Sequence, residues 1–324
     1  MKKICTIIVV CLLALSMLAA CSEKTENSPN TSPSGSTSPA GSTSPAGSAS
    51  PAGNPSPAGA AAAASNFDAG RGISVVTREE GSGTRDAVRD LFDIKDADGK
   101  ENVTEEAMVQ DSTGNMMTAI ANDPYAIGYC SLASLNDTVK ALAIDGVEAT
   151  PANVKNGSYK IQRPFYLATM GEADGLAKDF IDFILSKEGQ QAATKRCIPI
   201  NDNAPAYAGS ALSGKIVVGG SSSVSPVMED LIAAYKSVNP NADIELQVSD
   251  SSKGMNDAKS GAYDIGMASR EVRDSEKEDG LIPIHIAIDG IAVIVNSENP
   301  TNGMTVDQVK NIYNGEIGRW NGIQ

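Results

Sequence analysis

Short apolar runs alternate with polar loops and helical stretches from residue 72 to the end of the chain. Residues 73–76, 215–218 and 244–248 are apolar runs of strand length, and each precedes a loop rich in glycine or serine. After each loop the apolar positions return at the spacing of a helix face, most strongly over residues 176–185 elsewhere in the chain. This repeated order of strand, loop and helix predicts an α/β fold.

The first of these loops has the composition of an anion-binding site. Its sequence, residues 78–85, is Arg-Glu-Glu-Gly-Ser-Gly-Thr-Arg. Glycines let the backbone turn, Ser82 and Thr84 add hydroxyls, and the free N–H groups of the next helix face the same point. Arg78 adds a fork of donors that suits a tetrahedral oxyanion, and Arg85 is an additional candidate. The alternative is a turn that needed glycine, flanked by two solvated arginines.

Two further loops repeat this plan, at residues 219–226 and 249–254. A serine before a helix is commonly only an N-cap, which is the alternative for each loop taken singly. Three such loops in one chain favour a shared site. None of them has the spacing of the nucleotide-phosphate loop or of the nucleophile elbow of hydrolases.

The N-terminal 66 residues differ in composition from the rest. Residues 1–20 carry two lysines and an apolar run typical of an export signal, and Leu-Ala-Ala-Cys at 18–21 resembles the cleavage box of bacterial lipoproteins. We therefore expect Cys21 to be lipidated, with an ordinary signal peptide or a short membrane anchor as the alternative. Residues 21–66, rich in Ser, Pro, Gly and Ala, predict a disordered tether at the extracytoplasmic face of the cell membrane.

Charge and side-chain chemistry exclude several functions. A formal net charge of −14 disfavours nucleic acid as a partner. The one histidine, His285, alternates with isoleucines in a strand pattern, and no histidine-cysteine cluster predicts a metal or a cofactor. Beyond residue 66 the cysteines are Cys130 and Cys197. We expect buried free thiols, with a disulfide as the alternative.

Six sequence segments resemble those of a known family. They are TREEGSGTRDA (77–87), NDPYAIGYCSLASL (122–135), DFILSKEGQ (182–190), GGSSSVSPVMEDL (219–231), YDIGMASREV (263–272) and AIDGIAVIVNSENP (287–300). With them the chain resembles the substrate-binding proteins of bacterial phosphate ABC transporters. The resemblance implies a type II periplasmic-binding-protein-like fold, with two α/β lobes joined by crossing strands and a ligand cleft between them.

The resemblance also implies which residues contact phosphate. From one lobe these are Arg78, Ser82, Gly83 and Thr84, and from the other Ser222, Ser223, Ser251 and Ser269. Possible additional contacts are Arg85, Ser252 and Arg270.

Two departures from the family pattern bear on this expectation. Residues 67–208 resemble the family's C-terminal half and residues 209–324 its N-terminal half, so the chain looks circularly permuted; a truncated tandem gene is the alternative.

The second departure is chemical. Ser269 stands where well-known members have an aspartate that accepts the proton carried by phosphate. Asp250, Asp264 and Asp289 are candidates for a replacement acceptor.

The resemblance therefore implies a monomeric protein that captures inorganic phosphate and delivers it to an ABC transporter permease, without catalysis, and the box ending in Cys21 adds the expectation of a lipid anchor. The first alternative is binding of another oxyanion such as sulfate or molybdate. An exported phosphoester hydrolase is a second, and it lacks the histidine or metal cluster such chemistry needs. A surface scaffold that binds nothing is a third.

Overall fold

The structure, a computed structural model, describes residues 67–323. The predicted signal, the lipidation site Cys21 and the tether lie outside the described residues and stay predictions. Within the described range, helices are all too short or too polar to cross a membrane.

The first part of the described chain contains seven strands and five helices. They are β1 (Ser74–Arg78), α1 (Gly83–Leu91), β2 (Met108–Gln110), α2 (Thr113–Asn122), β3 (Ala126–Ser131), β4 (Val139–Ala141), β5 (Ala143–Ile144), α3 (Pro151–Lys155), β6 (Gln162–Met170), α4 (Gly175–Leu185), α5 (Lys187–Ala193) and β7 (Ile198–Pro199).

The second part adds five strands and four helices. They are β8 (Gly214–Ser221), α6 (Ser225–Val238), β9 (Ala242–Ser249), α7 (Ser251–Ser260), β10 (Ile265–Ala268), α8 (Asp274–Glu278), β11 (Leu281–Asn296), β12 (Gly303–Met304) and α9 (Val306–Tyr313), followed by a 3₁₀ turn, Trp320–Gly322.

Two parallel strand triplets are joined through two antiparallel strands. The sheet order is β2-β1-β3-β11-β6-β10-β8-β9, in which β1 pairs in parallel with β2 and β3, and β8 with β9 and β10. The long strand β11 pairs with β6 along its first part and with β3 along its last part. β6 and β11 are therefore the strands by which the chain crosses between the two triplets.

Each triplet has its own hydrophobic core, which defines two lobes. The arginine-loop lobe packs β1 to β3, α2, α9 and the end of β11 around Ile120, Ile127 and Ile294. The serine-loop lobe packs β8 to β10, α4 to α6 and the start of β11 around Phe180, Leu231 and Met267. Both lobes take strands from early and late in the sequence. The predicted two-lobe α/β fold is confirmed by this arrangement.

The first and last described segments lie side by side on the arginine-loop lobe. Gly72 forms an antiparallel bridge with Arg319, and the Ile73 N–H donates to the carbonyl of Gly318 at 3.0 Å. Phe67 stacks edge-on against Trp320, with ring centroids 5.7 Å apart. The chain thus enters and leaves this lobe at one place.

Candidate functional site

The predicted loops of both lobes meet at a buried cluster of hydroxyls and arginines. Parallel strands that end at the same edge bring the loops that follow them together. Arg78 ends β1, and Ser221 ends β8 just before the loop serines. All eight residues that the resemblance implies as phosphate contacts are buried, and Arg78 among them is 2% exposed.

Arg78 is the charged member of the cluster in the arginine-loop lobe. Its Nε and Nη2 donate to the two carboxylate oxygens of Glu79, each at 2.7 Å. Nη1 donates to Thr113 Oγ1 at 3.1 Å, and Nη2 also donates to Ser222 Oγ of the opposite lobe at 3.2 Å. The guanidinium therefore reaches hydroxyls of both lobes while a carboxylate balances its charge.

The hydroxyls form a connected chain across the cleft. Thr113 Oγ1 lies 3.2 Å from Ser222 Oγ and 3.0 Å from Ser223 Oγ. Ser223 Oγ in turn lies 2.9 Å from Thr84 Oγ1. The N–H of Thr113, at the start of α2, donates to Ser222 Oγ at 3.2 Å. Such groups supply several donors to one point without a metal.

Gly83 lets the serine-loop lobe come close to the start of α1. A Cβ built on Gly83 would stand 2.6 Å from Ser251 Oγ and 2.9 Å from Ser269 Oγ, so any side chain there would force these hydroxyls to move. Ser251 Oγ accepts from the Ser269 N–H at 3.1 Å and lies 3.4 Å from the Ser269 hydroxyl. These residues close the second side of the cluster.

A buried ion pair on the two crossing strands lies beneath the cluster. Arg163 on β6 and Asp289 on β11 are direct register partners, and Nε and Nη2 donate to Asp289 Oδ2 at 3.3 and 3.2 Å. Burial raises the pKa of Asp289 to about 6 even though Arg163 and hydrogen bonds from Ser131 and Ala133 oppose the shift. The Asp289 carboxyl group faces the Arg163 guanidinium, and the two form a buried ion pair.

Three of the predicted residues lie at the edge of the site. Arg85 turns away from the cluster, because its guanidinium binds Glu101 at 2.6 Å and the Arg78 carbonyl at 2.9 Å. Arg270 pairs with Glu276 at 2.7 Å and donates to Ser252 Oγ at 3.3 Å. Neither arginine has a hydrogen bond to the cluster hydroxyls, so the possible extra contacts of these residues remain predictions.

Arginines of the serine-loop lobe also hold an acid of the other lobe. Asp86 on α1 accepts from Arg273 Nη2 at 2.7 Å and lies 3.6 Å from Arg270 Nε. The Ser252 N–H donates to the Gly81 carbonyl at 3.2 Å. These contacts join the lobes at the rim of the cluster.

Ser82 and the candidate proton acceptors have other partners. The Ser82 hydroxyl caps α1 by accepting from the Arg85 N–H, and Asp250 caps α7 by accepting from the Lys253 N–H. Asp264 is exposed and accepts from the Val217 N–H at 2.7 Å, at the opposite end of the parallel strands. Of the three acids, only Asp289 is tied to the cluster, through Arg163.

Sequence reasoning missed Thr113 and Arg163 as members of the cluster. Thr113 stands in a polar loop before a helix, the same plan as the other loops. Arg163 is a charged residue next to the apolar run of β6, and its burial is seen only in the structure, so the sequence offers no clear signal for it. Among residues 67–323, no group of three or more histidine, cysteine, aspartate or glutamate side chains is placed to hold a metal ion.

Two α/β lobes, crossing strands and a donor-lined cluster between the lobes are the arrangement of a two-lobe solute-binding protein. The family model described as a PBP superfamily domain matches residues 60–188 and 205–322. The chain belongs to the PstS family of phosphate-binding proteins, as its relatives show.

One relative is the phosphate-binding protein PstS 2 of Streptococcus agalactiae, 48% identical over 257 residues, which cover 78% of this chain and 87% of the relative. A crystal structure of a phosphate-binding protein of a phosphate ABC transporter from Streptococcus pneumoniae is similar, with 40% identity, a TM-score of 0.62, and coverage of 78% of this chain and 100% of that one. The PstS of Bacillus subtilis is 38% identical over 133 residues, 40% of this chain and 42% of that protein.

Proposed function

We propose that this protein captures inorganic phosphate in the cluster between its lobes and delivers it to an ABC transporter permease. The observation that carries the proposal is the buried set of donors from both lobes, centred on Arg78, Thr84, Thr113, Ser222 and Ser223. A phosphate that enters replaces hydroxyl-to-hydroxyl contacts with hydrogen bonds to its oxygens. Charge-assisted bonds of this kind are the strong ones.

The cluster favours an anion over a neutral ligand for an electrostatic reason. Two buried guanidiniums, of Arg78 and Arg163, each have one carboxylate partner, Glu79 and Asp289 respectively. The charges balance within each pair, and the hydroxyl and N–H dipoles then provide the attraction at close range. An oxyanion satisfies these donors without requiring a further cation.

Phosphate and sulfate differ in the proton that phosphate carries at neutral pH, which needs an acceptor. Glu79, which binds Arg78 of the cluster, is the acceptor we propose to test. Sulfate placed against an acceptor leaves two acceptors face to face, which costs affinity.

Competition titrations against phosphate test this preference. We expect sulfate and molybdate to displace phosphate only at large excess, and we expect Glu79→Gln to reduce that discrimination. Equal competition by sulfate in the parent would assign the site to oxyanions in general, the alternative left open by Ser269.

Membrane attachment and delivery form a separate part of the proposal. It is supported by the lipoprotein-like box that ends in Cys21 and by the transporter named for the Streptococcus pneumoniae relative. Radiolabelled palmitate should enter the parent and not a Cys21→Ala variant, which should be released from membranes. Cells that lack the protein should take up phosphate more slowly. Retention of the variant in membranes would contradict the anchor.

We also propose that the segment order is permuted relative to part of the family. The alignment with the Streptococcus agalactiae relative spans 87% of that protein, whereas the alignment with the Bacillus subtilis protein spans 42%. The bridge between Gly72 and Arg319 supports the proposal, because the two segments are close enough for a short link. The chain at residues 201–214 is then the bridge across the old termini.

A rearranged protein, running from residue 215 to 324, through a short linker, and then from 72 to 201, tests the permutation. Both orders should give monomers that bind one phosphate with similar affinity. A parent that binds only as a dimer, beside a rearranged version that binds as a monomer, would support the tandem-gene alternative instead.

A further inference from the structure

Arg163 has contacts that a purely structural ion pair does not need. Two of its nitrogens bind Asp289, while Nη1 donates to Thr84 Oγ1 at 2.6 Å and to the carbonyl of Ser269 at 3.1 Å. Thr84 belongs to the arginine-loop lobe, and Ser269 follows β10 of the serine-loop lobe. One nitrogen of a crossing-strand residue thus contacts both lobes.

The chemistry of arginine fixes the direction of the hydrogen bond between Arg163 and Thr84. A guanidinium donates hydrogen bonds and cannot accept them, so Thr84 Oγ1 is the acceptor from Arg163. The single hydroxyl proton of Thr84 is then free to be donated elsewhere, and Ser223 Oγ lies 2.9 Å away inside the cluster. Arg163 therefore occupies one acceptor position of Thr84 Oγ1 and leaves the hydroxyl proton available to Ser223 or to an anion in the site.

The same logic applies to the other hydroxyls of the cluster. Thr113 accepts from Arg78 Nη1, Ser222 accepts from the Thr113 N–H, and Ser251 accepts from the Ser269 N–H. Each of these three hydroxyls accepts from a group that can only donate, which leaves its own proton available to an acceptor. An anion, which only accepts, meets donors that are oriented before it arrives.

We propose that Arg163, held by Asp289, is a positioning residue of the anion site that acts through the Thr84 hydroxyl. This inference rests on the proposed function, since it concerns how the same cluster binds phosphate. It differs from a structural role, in which the ion pair would support the crossing strands and the identity of residue 84 would not matter.

A double-mutant cycle separates these two roles. The paired change Arg163→Met with Asp289→Asn removes both charges and leaves no buried ion without a partner. It is combined with Thr84→Val, which deletes the hydroxyl at nearly constant shape, and with Thr84→Ser, the matched control that keeps it. Phosphate Kd is measured by calorimetry on residues 22–324, which lack the predicted signal and Cys21, and thermal unfolding without phosphate is followed in parallel.

We expect the paired change to weaken phosphate binding roughly 10- to 100-fold in the parent and in the Thr84→Ser background. In the Thr84→Val background, which is already weak, the further loss should stay below about 3-fold. Equal losses in the Val and Ser backgrounds would overturn the inference, because Arg163 would then act on the anion directly or only through the fold.

Two controls keep the outcomes distinct. If the paired variant does not unfold cooperatively, it is replaced by Arg163→Lys with Asp289 retained. This change should again weaken phosphate binding in the Thr84→Ser background and not in the Thr84→Val background. Equal losses in the two backgrounds would overturn the inference. If the parent itself binds no phosphate, the proposed function fails and the inference fails with it. If the parent binds phosphate and the losses of affinity caused by the paired change and by Thr84→Val simply multiply, the inference fails and the proposed function stands.

Discussion

Replacing Arg78 by alanine should nearly abolish phosphate binding while the protein stays folded. Exposed ion pairs are worth about 0–1 kcal/mol, whereas truncating a buried, hydrogen-bonded charge at a binding site costs about 2–5 kcal/mol. Arg78 belongs to the second case, since it is 2% exposed. Its loss also removes the donors behind Thr113 and Ser222. The expected increase in Kd is roughly 30- to 4,000-fold.

Folding should survive, because Glu79, left without its partner, is 19% exposed along its side chain and regains contact with water. Calorimetric titration gives the Kd, and circular dichroism gives the unfolding temperature. Arg89→Ala is the matched control: it deletes a positive charge on the outer face of α1, where Arg89 pairs with Asp86 and Asp90, and it should change Kd less than about 3-fold. Equal Kd values for parent and Arg78→Ala would refute the assignment of Arg78 to the site.

Three more changes follow from the same geometry. Gly83→Ala places a methyl group against the hydroxyls of the other lobe and should weaken phosphate binding at least about 10-fold by calorimetry. Gly114→Ala adds a methyl group in open space and should leave the Kd unchanged. Equal Kd values for the two variants would contradict the close approach of the lobes at Gly83. Asp86→Ala removes an ion pair between the lobes and should raise the phosphate dissociation rate about 2- to 5-fold in stopped flow. The increase should be smaller at high salt, which screens the pair in the parent. An unchanged rate would contradict a role for this ion pair in holding the lobes together. Cys130 and Cys197 should resist thiol reagents until the protein unfolds, because burial raises the pKa of both thiols, and rapid labelling of the native protein would contradict their placement.

Local sequence located the loops well. Arg78 ends an apolar run and Thr84 lies at the start of the next helix, while Ser222 and Ser223 follow another apolar run, so a pattern within about ten residues favours a shared position for them. Parallel strands bring the ends of such runs to one edge of the sheet. The two-lobe architecture itself came from resemblance, since the crossing of β6 and β11 leaves no local signature.

The remaining site residues depend on long-range pairing. Arg163 reaches Thr84 across 79 positions of sequence, and its contact exists only because β6 crosses between the lobes beside β11. Arg85 directly follows Thr84 in a helix, which turns about 100° per residue, and so it faces Glu101 outside the cluster. Neighbours in sequence thus separate, and distant residues meet, for reasons a motif does not encode.

Calorimetric titration of residues 22–324 with phosphate at pH 7, after removal of any phosphate carried through purification, tests the central claim most directly. The account predicts one phosphate bound per chain, and binding that is lost when Thr113→Val and Ser222→Ala are combined. Absence of heat, together with an unfolding temperature that phosphate at about 1 mM leaves unchanged, would contradict it, because a ligand that binds the native state must stabilise it.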